Sequence, residues 1–348
     1  MGRRSQADTD AIRFLRQARP HKPCQYQDPR RRVRNRAETM QTSTIDSVPS
    51  FNKVLLATDF SAASQAAFQT ALSVCTAFHA SLSILHVFEF ANAVPPETGG
   101  QPPELNSLYE SARSSLDRLL REARRSGVAC EATMGSGIPS VTILKTIASD
   151  SIDLAILGTN ALHGFERLVF GSTAEMVLRK ASCPVLTVGP QASNAPEAAQ
   201  INSPVVFATD FHLTTTHAIC YAAAICKVTR SPLHCLHVLP RTLEGGSHRR
   251  ITLQIMTEAL QHVANESGTA IDPPVCAITY GSEISNAVVA YARQQKAKLI
   301  VLGVRQASMA ASHVPAHIAY RIITEASCPV LTMAFASQPH ATLAAACL

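Results

Sequence analysis

The sequence predicts an α/β protein built from two tandem five-stranded parallel sheets, each with the strand order 3-2-1-4-5. Short apolar runs alternate with helical patterns, which is typical of strands joined by helical crossovers. The chain also repeats itself, because residues 54–60 (VLLATDF) return as 205–211 (VVFATDF). Residues 182–187 (SCPVLT) return unchanged as 327–332. A chain of 348 residues has room for about two domains, so one unit of ~140 residues is present twice.

The first copy defines the elements in order. Its five strands are predicted at 53–58, 82–87, 128–134, 152–157 and 184–188, and the first of them is a short apolar run suited to a strand buried on both faces. Ser61 is predicted to cap the first helix. In that helix Ala67, Ala71, Val74 and Phe78 recur on one face.

Three further helices follow from spacing and end signals. Pro139 is suited to the first turn of a helix that runs to about residue 148. Ser172 and Glu175 match a capping box, which predicts a helix start near Ser172. An amphipathic helix between the second and third strands is predicted from one apolar stripe: Leu105, Leu108, Ala112, Leu116, Leu119 and Ala123.

The organisation along the chain follows from the repeat. Residues 1–50 are predicted to be a disordered basic leader, 51–189 the first domain (repeat 1), and 203–335 the second domain (repeat 2). Residues 190–202 are the predicted linker and 336–348 a tail. Residues 1–39 hold eleven basic and four acidic side chains, so they carry +7 and the remaining 309 residues sum to −1. An RNA-, DNA- or lipid-binding tail and a natural start at Met40 are both open for this leader.

Composition excludes several classes of protein. No apolar stretch approaches the ~18 residues of a membrane span, so no membrane partner is expected. The near-neutral globular part lacks the charge of a nucleic-acid binder, which leaves nucleic-acid binding to the leader alone. Ten cysteines without a CxxC pair predict reduced, buried thiols in a cytoplasmic protein.

The topology selects candidate ligand residues. In doubly wound sheets, ligands bind beyond the carboxyl ends of the strands where the strand order switches. Asp59 and Gly158 follow strands one and four, which flank that switch. A Gly-containing segment begins at Gly158, and Gly171 precedes the hydroxyl residues Ser172 and Thr173 at a helix start, where free amides bind phosphate oxygens. A connection that merely packs is the alternative reading of these glycines.

Residues 158–188, together with 54–60 and 137–139, resemble the universal stress protein family, and the resemblance covers nearly all of 51–335. It implies an adenine-nucleotide-hydrolase-like fold, pairing through the last strand and, in some members, ATP binding through a G-x2-G-x9-G-[ST] pattern. The resemblance places Gly158 first in that pattern and Gly171 and Ser172 last. It places Asp59 near the ribose, and Ala57 and Val87 where adenine is contacted.

Two departures from that pattern stand out. Ala161 occupies the position of the second glycine, where an alanine at positive φ costs about 1 kcal/mol, and Gly164 supplies further backbone freedom nearby. In repeat 2, Gly303 and Asp210 are kept, but the remaining pattern positions hold Gln306, Ala316 and His317. Repeat 2 is therefore predicted to be a degenerate copy that binds ATP poorly or not at all and packs against repeat 1 as a pseudo-dimer.

The remaining candidate residues, mainly histidines, have simpler structural explanations. His86 and His237 end the second strand of each copy and are interpreted as packed strand-end residues. His163 lies in the candidate loop, where an exposed residue without a role is the simpler reading. No histidine spacing matches a metal site, so no metal ligands are assigned. No nucleophile with a partnered base is recognised, so no catalytic residue is assigned.

The function predicted from these observations is ATP or ADP binding in repeat 1, with a regulatory role in the stress response and Mg²⁺ as an accompanying ion. The predicted nucleotide-binding residues are Ala57, Thr58, Asp59, Val87, Gly158, Thr159, Ala161, Gly164, Gly171, Ser172 and Thr173. At most, slow ATP hydrolysis assisted by Asp59 is expected. The alternative is a scaffold without nucleotide, held together by pairing of the last strands, 184–188 and 329–333. A homodimer is a further expected partner state.

Overall fold

The computed structural model of the chain describes residues 49–89, 103–159, 171–193, 203–210, 218–244, 248–267, 273–306 and 314–336. The predictions made for the leader through residue 48, for Ala161, His163 and Gly164, and for residues 337–348 lie outside these ranges. None of the helices described in these ranges is both long and apolar enough to cross a membrane.

Repeat 1 alternates strands and helices in the predicted order. Its elements are β1 (Lys53–Ala57), α1 (Ala62–Phe78), β2 (Ser81–Phe88), α2 (Pro103–Arg125), β3 (Cys130–Ser136), α3 (Pro139–Ser149), β4 (Leu154–Gly158), α4 (Ser172–Lys180) and β5 (Val185–Val188). A short helix, α5 (Pro190–Ser193), begins what the sequence predicted to be linker.

Repeat 2 has the same succession. Its elements are β6 (Val205–Ala208), α6 (Ala218–Thr229), β7 (Leu233–Leu239), α7 (His248–Ser267), β8 (Val275–Tyr280), α8 (Ile284–Gln294), β9 (Leu299–Gln306), α9 (Val314–Glu325) and β10 (Val330–Ala336), with a 3₁₀ turn at Arg241–Leu243.

The ten strands form one continuous sheet in the order β3-β2-β1-β4-β5-β10-β9-β6-β7-β8. The order 3-2-1-4-5 is therefore confirmed in both repeats, whose strands are parallel within each repeat. The two halves join where β5 and β10 pair antiparallel, with Leu331 opposite Leu186. The last strands of the two repeats thus pair within the chain, as the sequence predicts.

Helices cover both faces of this sheet because its inner strands are largely apolar on both sides. Val54, Leu55 and Leu56 of β1 are each no more than 1% exposed. On one face, α1, α2, α6 and α7 contribute to a single core that runs through both repeats. On the other face, α3 and α4 cover repeat 1, and α8 and α9 cover repeat 2.

The start of α1 confirms the predicted cap. The Ser61 hydroxyl accepts a hydrogen bond from the Ser64 backbone N–H at 3.3 Å, which satisfies one of the free amides of the first turn. The predicted stripe of α2 is wrong at one position, because Leu108 is 63% exposed whereas the stripe from Ala112 onward is buried.

Two strands, β3 and β4, start two residues later than predicted, because the preceding helix ends on those residues. Gly127 has a φ of 78°, and the Val128 N–H donates to the Ala123 carbonyl, so β3 begins at Cys130 and not at 128. Ser151 has a φ of 54°, and the Ile152 N–H donates to the Ile147 carbonyl, so β4 begins at Leu154.

Side chains also join the repeats at the central strands. The Arg179 Nε donates to the Tyr320 hydroxyl at 3.0 Å, which links α4 to α9. The Thr332 hydroxyl donates to the Val185 carbonyl at 3.2 Å. Gly189 packs so closely on α9 that a Cβ there would overlap the Ile323 carbonyl oxygen. The predicted pseudo-dimer is therefore a tightly packed interface within one chain.

The cysteine prediction is confirmed for five thiols that are buried: Cys75, Cys220, Cys226, Cys235 and Cys328. Burial raises the pKa of Cys75 and of Cys328 to about 12 each, since a thiolate is disfavoured away from water. Cys130 and Cys183 are half-buried, and burial raises the pKa of each to about 11.

Candidate functional site

The carboxyl ends of β1 and β4 lie side by side. Ala57 ends β1 and pairs with Leu85 of β2 on one side and with Leu157 of β4 on the other. The next residues of the two strands, Thr58 and Gly158, therefore leave the sheet at the same edge. This brings together the first two of the predicted segments at the switch in strand order.

Thr58 and Thr159 are held by backbone hydrogen bonds at that edge. The Thr58 N–H donates to the Leu85 carbonyl at 2.9 Å, and the Thr159 N–H donates to the Val188 carbonyl at 2.9 Å. Both threonines are less than a tenth exposed. Val87 lies two residues beyond Leu85 on β2 and is half-buried, so it borders the same edge.

Asp59 forms a compact turn with the start of α1. Its Oδ1 accepts from the Ser61 N–H at 2.9 Å and from the Ser64 hydroxyl at 2.5 Å. Both of these hydrogen bonds end on Oδ1, and Asp59 as a whole is exposed. Asp59 is thus oriented by the protein at an exposed position.

The electrostatics of this turn keep Asp59 ionised. Partial burial disfavours the charged form, but the hydrogen bonds from Ser61 and Ser64 outweigh burial and lower the pKa of the carboxyl below its ordinary value. A carboxylate at this position accepts hydrogen bonds from hydroxyl groups, such as the pair on a ribose.

Phe60 makes the turn with a strained backbone. Its φ is 64°, a left-handed conformation that is uncommon for a large side chain. The Phe60 N–H donates to the Thr58 hydroxyl at 3.0 Å, which holds the strained residue in place. Such strain is typical of turns that aim a functional side chain, here the neighbouring Asp59.

The two strand-end histidines have the same structural contact. His86 Nδ1 lies 2.8 Å from the Thr58 carbonyl oxygen, and His237 Nδ1 lies 2.8 Å from the Thr209 carbonyl oxygen. Because a carbonyl can only accept, each Nδ1 carries the proton in this contact. The interpretation of both residues as packed strand-end histidines agrees with these contacts.

A row of rings beside the Asp59 turn was missed by the sequence analysis. The Phe60 and His86 ring centroids are 4.5 Å apart, those of His86 and Phe88 are 4.9 Å apart, and those of Phe88 and Tyr109 are 5.7 Å apart. Tyr109 is 47% exposed. No local spacing joins Tyr109 on α2 to Phe60, so only the fold reveals this row.

Gly158 is required by packing. A Cβ at Gly158 would overlap the backbone carbonyl of Ala63 and would lie 2.5 Å from the Ser64 nitrogen. The glycine therefore allows the first turn of α1 to approach the end of β4. This contact accounts for Gly158 without a ligand, as the alternative reading of the glycines anticipated.

The predicted capping box at α4 is wrong. Gly171 is the N-cap residue, Ser172 is already helical, and no side chain among the described residues caps the helix. Glu175 forms an ion pair with Arg179 at 3.0 Å. The first-turn amides at Ser172 and Thr173 thus have no side-chain cap within the described part of the chain, and such amides can bind an anion.

Repeat 2 differs at the equivalent edge. β4 ends at Gly158, whereas β9 continues past Gly303 to Gln306 and stays paired with β10. The backbone that follows the glycine in repeat 2 is therefore engaged in the sheet.

A cavity of about 370 Å³ beyond β6 is lined mainly by aliphatic side chains, among them Ile284, Val288 and Ile322.

No metal site is formed by the described residues, since no three His, Cys, Asp or Glu side chains come together in them.

Comparison with known proteins decides the family. The sequence model of the universal stress protein family matches residues 50–189 and again 202–333. The chain belongs to the universal stress protein family. Its fold is the adenine-nucleotide-hydrolase-like α/β fold of that family, present twice.

Individual relatives match one repeat each. Universal stress protein MJ0531 of Methanocaldococcus jannaschii is 30% identical over 139 residues, which is 40% of this chain and 82% of that protein. Universal stress protein YxiE of Bacillus subtilis is 29% identical over 146 residues, which is 40% of this chain and 99% of that protein.

A solved structure matches both repeats together. A universal stress protein from Archaeoglobus fulgidus superposes with a TM-score of 0.64 over 81% of this chain and 98% of its own chain, at 21% identity. At that identity the likeness shows the fold.

Proposed function

We propose that repeat 1 of this universal stress protein binds ATP or ADP at the carboxyl ends of β1 and β4. Asp59 accepts hydrogen bonds from the ribose hydroxyls through Oδ2. The uncapped amides at Ser172 and Thr173 bind phosphate oxygens, and Mg²⁺ accompanies the phosphates. Nucleotide occupancy then alters the shape of this edge and the choice of partner in a stress response.

The observation that carries this proposal is the Asp59 turn. An ionised and exposed carboxylate, held by hydrogen bonds to Oδ1, lies at the switch in strand order. A purely structural turn needs only the oxygen that accepts from Ser61 and Ser64. The strained Phe60 beside Asp59 also fits a residue that is held in place for binding.

Ala57 and Val87 border the position for adenine, and Thr58, Thr159 and Gly158 form the floor beside it. The ring row of Phe60 and His86 offers a further apolar wall. Ala161 and Gly164 belong to this proposal as parts of the phosphate segment. Repeat 2 does not share the function, because its backbone after Gly303 pairs with β10.

The test is equilibrium dialysis with ATP on the full chain and on Asp59→Asn. Asparagine keeps an oxygen for Ser61 and Ser64 but places an amide where Oδ2 accepts. We expect ATP affinity to fall by about tenfold to a hundredfold, the effect of one or two charge-assisted hydrogen bonds. Asp210→Asn, the matched change in repeat 2, should leave the affinity unchanged.

Equal ATP affinity in the two variants would contradict the assignment of Asp59. No binding at millimolar ATP by the folded wild-type chain would remove the nucleotide function. Phosphate release measured in the same samples tests the slow hydrolysis that Asp59 and Mg²⁺ would support.

A second candidate function is a scaffold without nucleotide. The antiparallel pairing of β5 and β10 favours it, because this pairing joins the repeats without any ligand. Mass spectrometry of small molecules released from the purified protein separates the two candidates. Released adenine nucleotide supports the first, and its absence together with a failure to bind added ATP supports the scaffold.

A further inference from the structure

A second cavity lies where the two repeats meet, away from the proposed nucleotide site. Its volume is about 600 Å³, within the range of small-molecule sites. α1 and α6 form its walls, with Val74 on one side and Ile225 on the other. Its floor is formed by leucines of the central strands: Leu154, Leu186 and Leu331. Both repeats are therefore needed to build this cavity.

The floor of the cavity is apolar and deep. Leu154 and Leu331 are each 1% exposed and Leu186 is 4% exposed, although all three line the cavity. The leucine floor is therefore largely shielded from solvent. A cavity of this volume with an apolar floor is suited to an alkyl chain.

One end of the cavity carries three cations. Arg293 at the end of α8, and Lys296 and Lys298 in the turn before β9, line that end. Within the described residues, no hydrogen bond or ion pair engages these side chains. Three like charges without a described acidic partner repel one another, so they favour an anion between them.

The local turn does not need these cations. β4 and β9 have the same register against β1 and β6, which makes Ala148, Ser151 and Asp153 the equivalents of Arg293, Lys296 and Lys298. Ser151 and Lys296 share the left-handed conformation, with φ of 54° and 51°. Repeat 1 thus builds the same turn without a positive charge at any of the three positions.

In the equivalent turn of repeat 1, Asp153 carries a negative charge and has a structural role. Asp153 Oδ2 accepts from the backbone N–H groups of Asn52 and Lys53, each at 2.9 Å. No residue from 148 to 153 in the repeat 1 turn is basic, although the Lys53 ammonium on β1 donates to the Asp150 carbonyl at 3.2 Å. The asymmetry gives the cavity an apolar body with cations at one end.

We propose that this cavity binds a single-chain amphiphile with an anionic head group, namely a fatty acid. The alkyl chain lies over Leu154, Leu186 and Leu331, and its burial removes apolar surface from water. The carboxylate binds Arg293, Lys296 and Lys298 through charge-assisted hydrogen bonds. Lys298 lies before the amino end of β9, whereas the proposed nucleotide site lies at the carboxyl ends of β1 and β4, so the two ligands do not compete.

The test is isothermal titration of the full chain with dodecanoate below its micelle concentration, compared with dodecan-1-ol. We expect one dodecanoate per chain and an affinity for the alcohol that is weaker by about tenfold or more, the effect of losing one charge-assisted hydrogen bond. Saturating ATP should leave the dodecanoate affinity unchanged. Equal affinities for the acid and the alcohol would overturn the proposal.

Two variants locate the site. The triple variant Arg293→Gln, Lys296→Gln and Lys298→Gln changes surface charge alone and should weaken dodecanoate binding by about tenfold or more. Its matched control neutralises three exposed cations elsewhere in the fold, Arg124, Arg125 and Lys145, by the same Gln substitutions, and should bind as wild type does. Ala77→Trp, which fills the cavity from α1, should abolish binding while the far-ultraviolet circular dichroism stays unchanged.

Three results would overturn the proposal. The first is an absence of dodecanoate binding by the wild-type chain, and the second is an unchanged affinity in the triple variant. The third is binding that arises only after residues 337–348 are removed, because the chain itself would then be the occupant of the cavity.

Discussion

Replacing Gly158 with alanine tests the packing at the carboxyl end of β4. A Cβ at this position would overlap the Ala63 carbonyl and lie 2.5 Å from the Ser64 nitrogen. These are backbone atoms of the first turn of α1, so no flexible side chain can move aside. Relief requires α1 to shift away from β4, which also displaces the Ser64 hydroxyl that bonds Asp59.

The expected loss of stability in Gly158→Ala follows from the free-energy cost of overpacking. Extra atoms in a well-packed region cost about 1–3 kcal/mol, and a collision with backbone belongs at the upper end of that range. At ~3 kcal/mol, the Tm should fall by roughly 4 °C for a chain of 348 residues. Urea denaturation followed by circular dichroism measures the same loss in the free energy of unfolding.

Gly171→Ser is the matched control. No described atom lies within 4 Å of a Cβ at Gly171, its φ is −59°, and serine is a good N-cap residue. We expect a stability at or slightly above that of wild type. A Gly158→Ala protein as stable as Gly171→Ser would refute the close approach of α1 to β4.

Four further predictions concern the junction of the repeats and the thiols. Thr187 is fully buried, and its hydroxyl has no hydrogen-bond partner among the described residues, so Thr187→Val should stabilise the chain by about 1–2 kcal/mol in urea denaturation. Thr332→Val loses a hydrogen bond and should destabilise it by about 1 kcal/mol; the same sign for both changes would contradict the assignment. Gly189→Ala should lower the Tm, because a Cβ there meets the opposite repeat, and an unchanged Tm would refute that contact. Burial raises the pKa of Cys130 and of Cys183 to about 11, so their alkylation by iodoacetamide, followed by peptide mass mapping, should rise about tenfold per pH unit until pH approaches 11; a plateau near pH 9 would argue against burial.

The strand order could be predicted because apolar runs and internal repetition are local and strong. β1 and the Ser61 cap lie within one residue of the prediction, since both depend on nearby residues alone. The pairing of the last strands was implied by the resemblance to the universal stress protein family. That the two sheets merge into one depends on contacts between positions about 150 residues apart, such as Leu186 with Leu331.

Element boundaries were less predictable because neighbouring signals compete for the same residues. β3 begins late, since Gly127 and Val128 end α2. The Ser172 pattern matches a capping box, yet Glu175 pairs with Arg179, and the helix starts at Ser172 itself. A short sequence pattern does not show whether a glutamate will cap the helix start or pair with an arginine one turn later.

The candidate site was predictable in part. The topology placed Asp59 and Gly158 at one sheet edge, and both lie there. The ring row from Phe60 to Tyr109 was not predictable, because it depends on where α2 lies beside the end of β2. The continued pairing of β9 past Gly303 likewise needs the fold, since its sequence alone shows only missing glycines.

Hydrogen–deuterium exchange of the full chain with and without ATP tests the nucleotide account most directly. The account predicts slower exchange at residues 58–64 and 171–175 of repeat 1, while residues 208–210 and 303–306 of repeat 2 exchange at an unchanged rate. Slower exchange centred on repeat 2, or no change in either repeat at millimolar ATP, would contradict it.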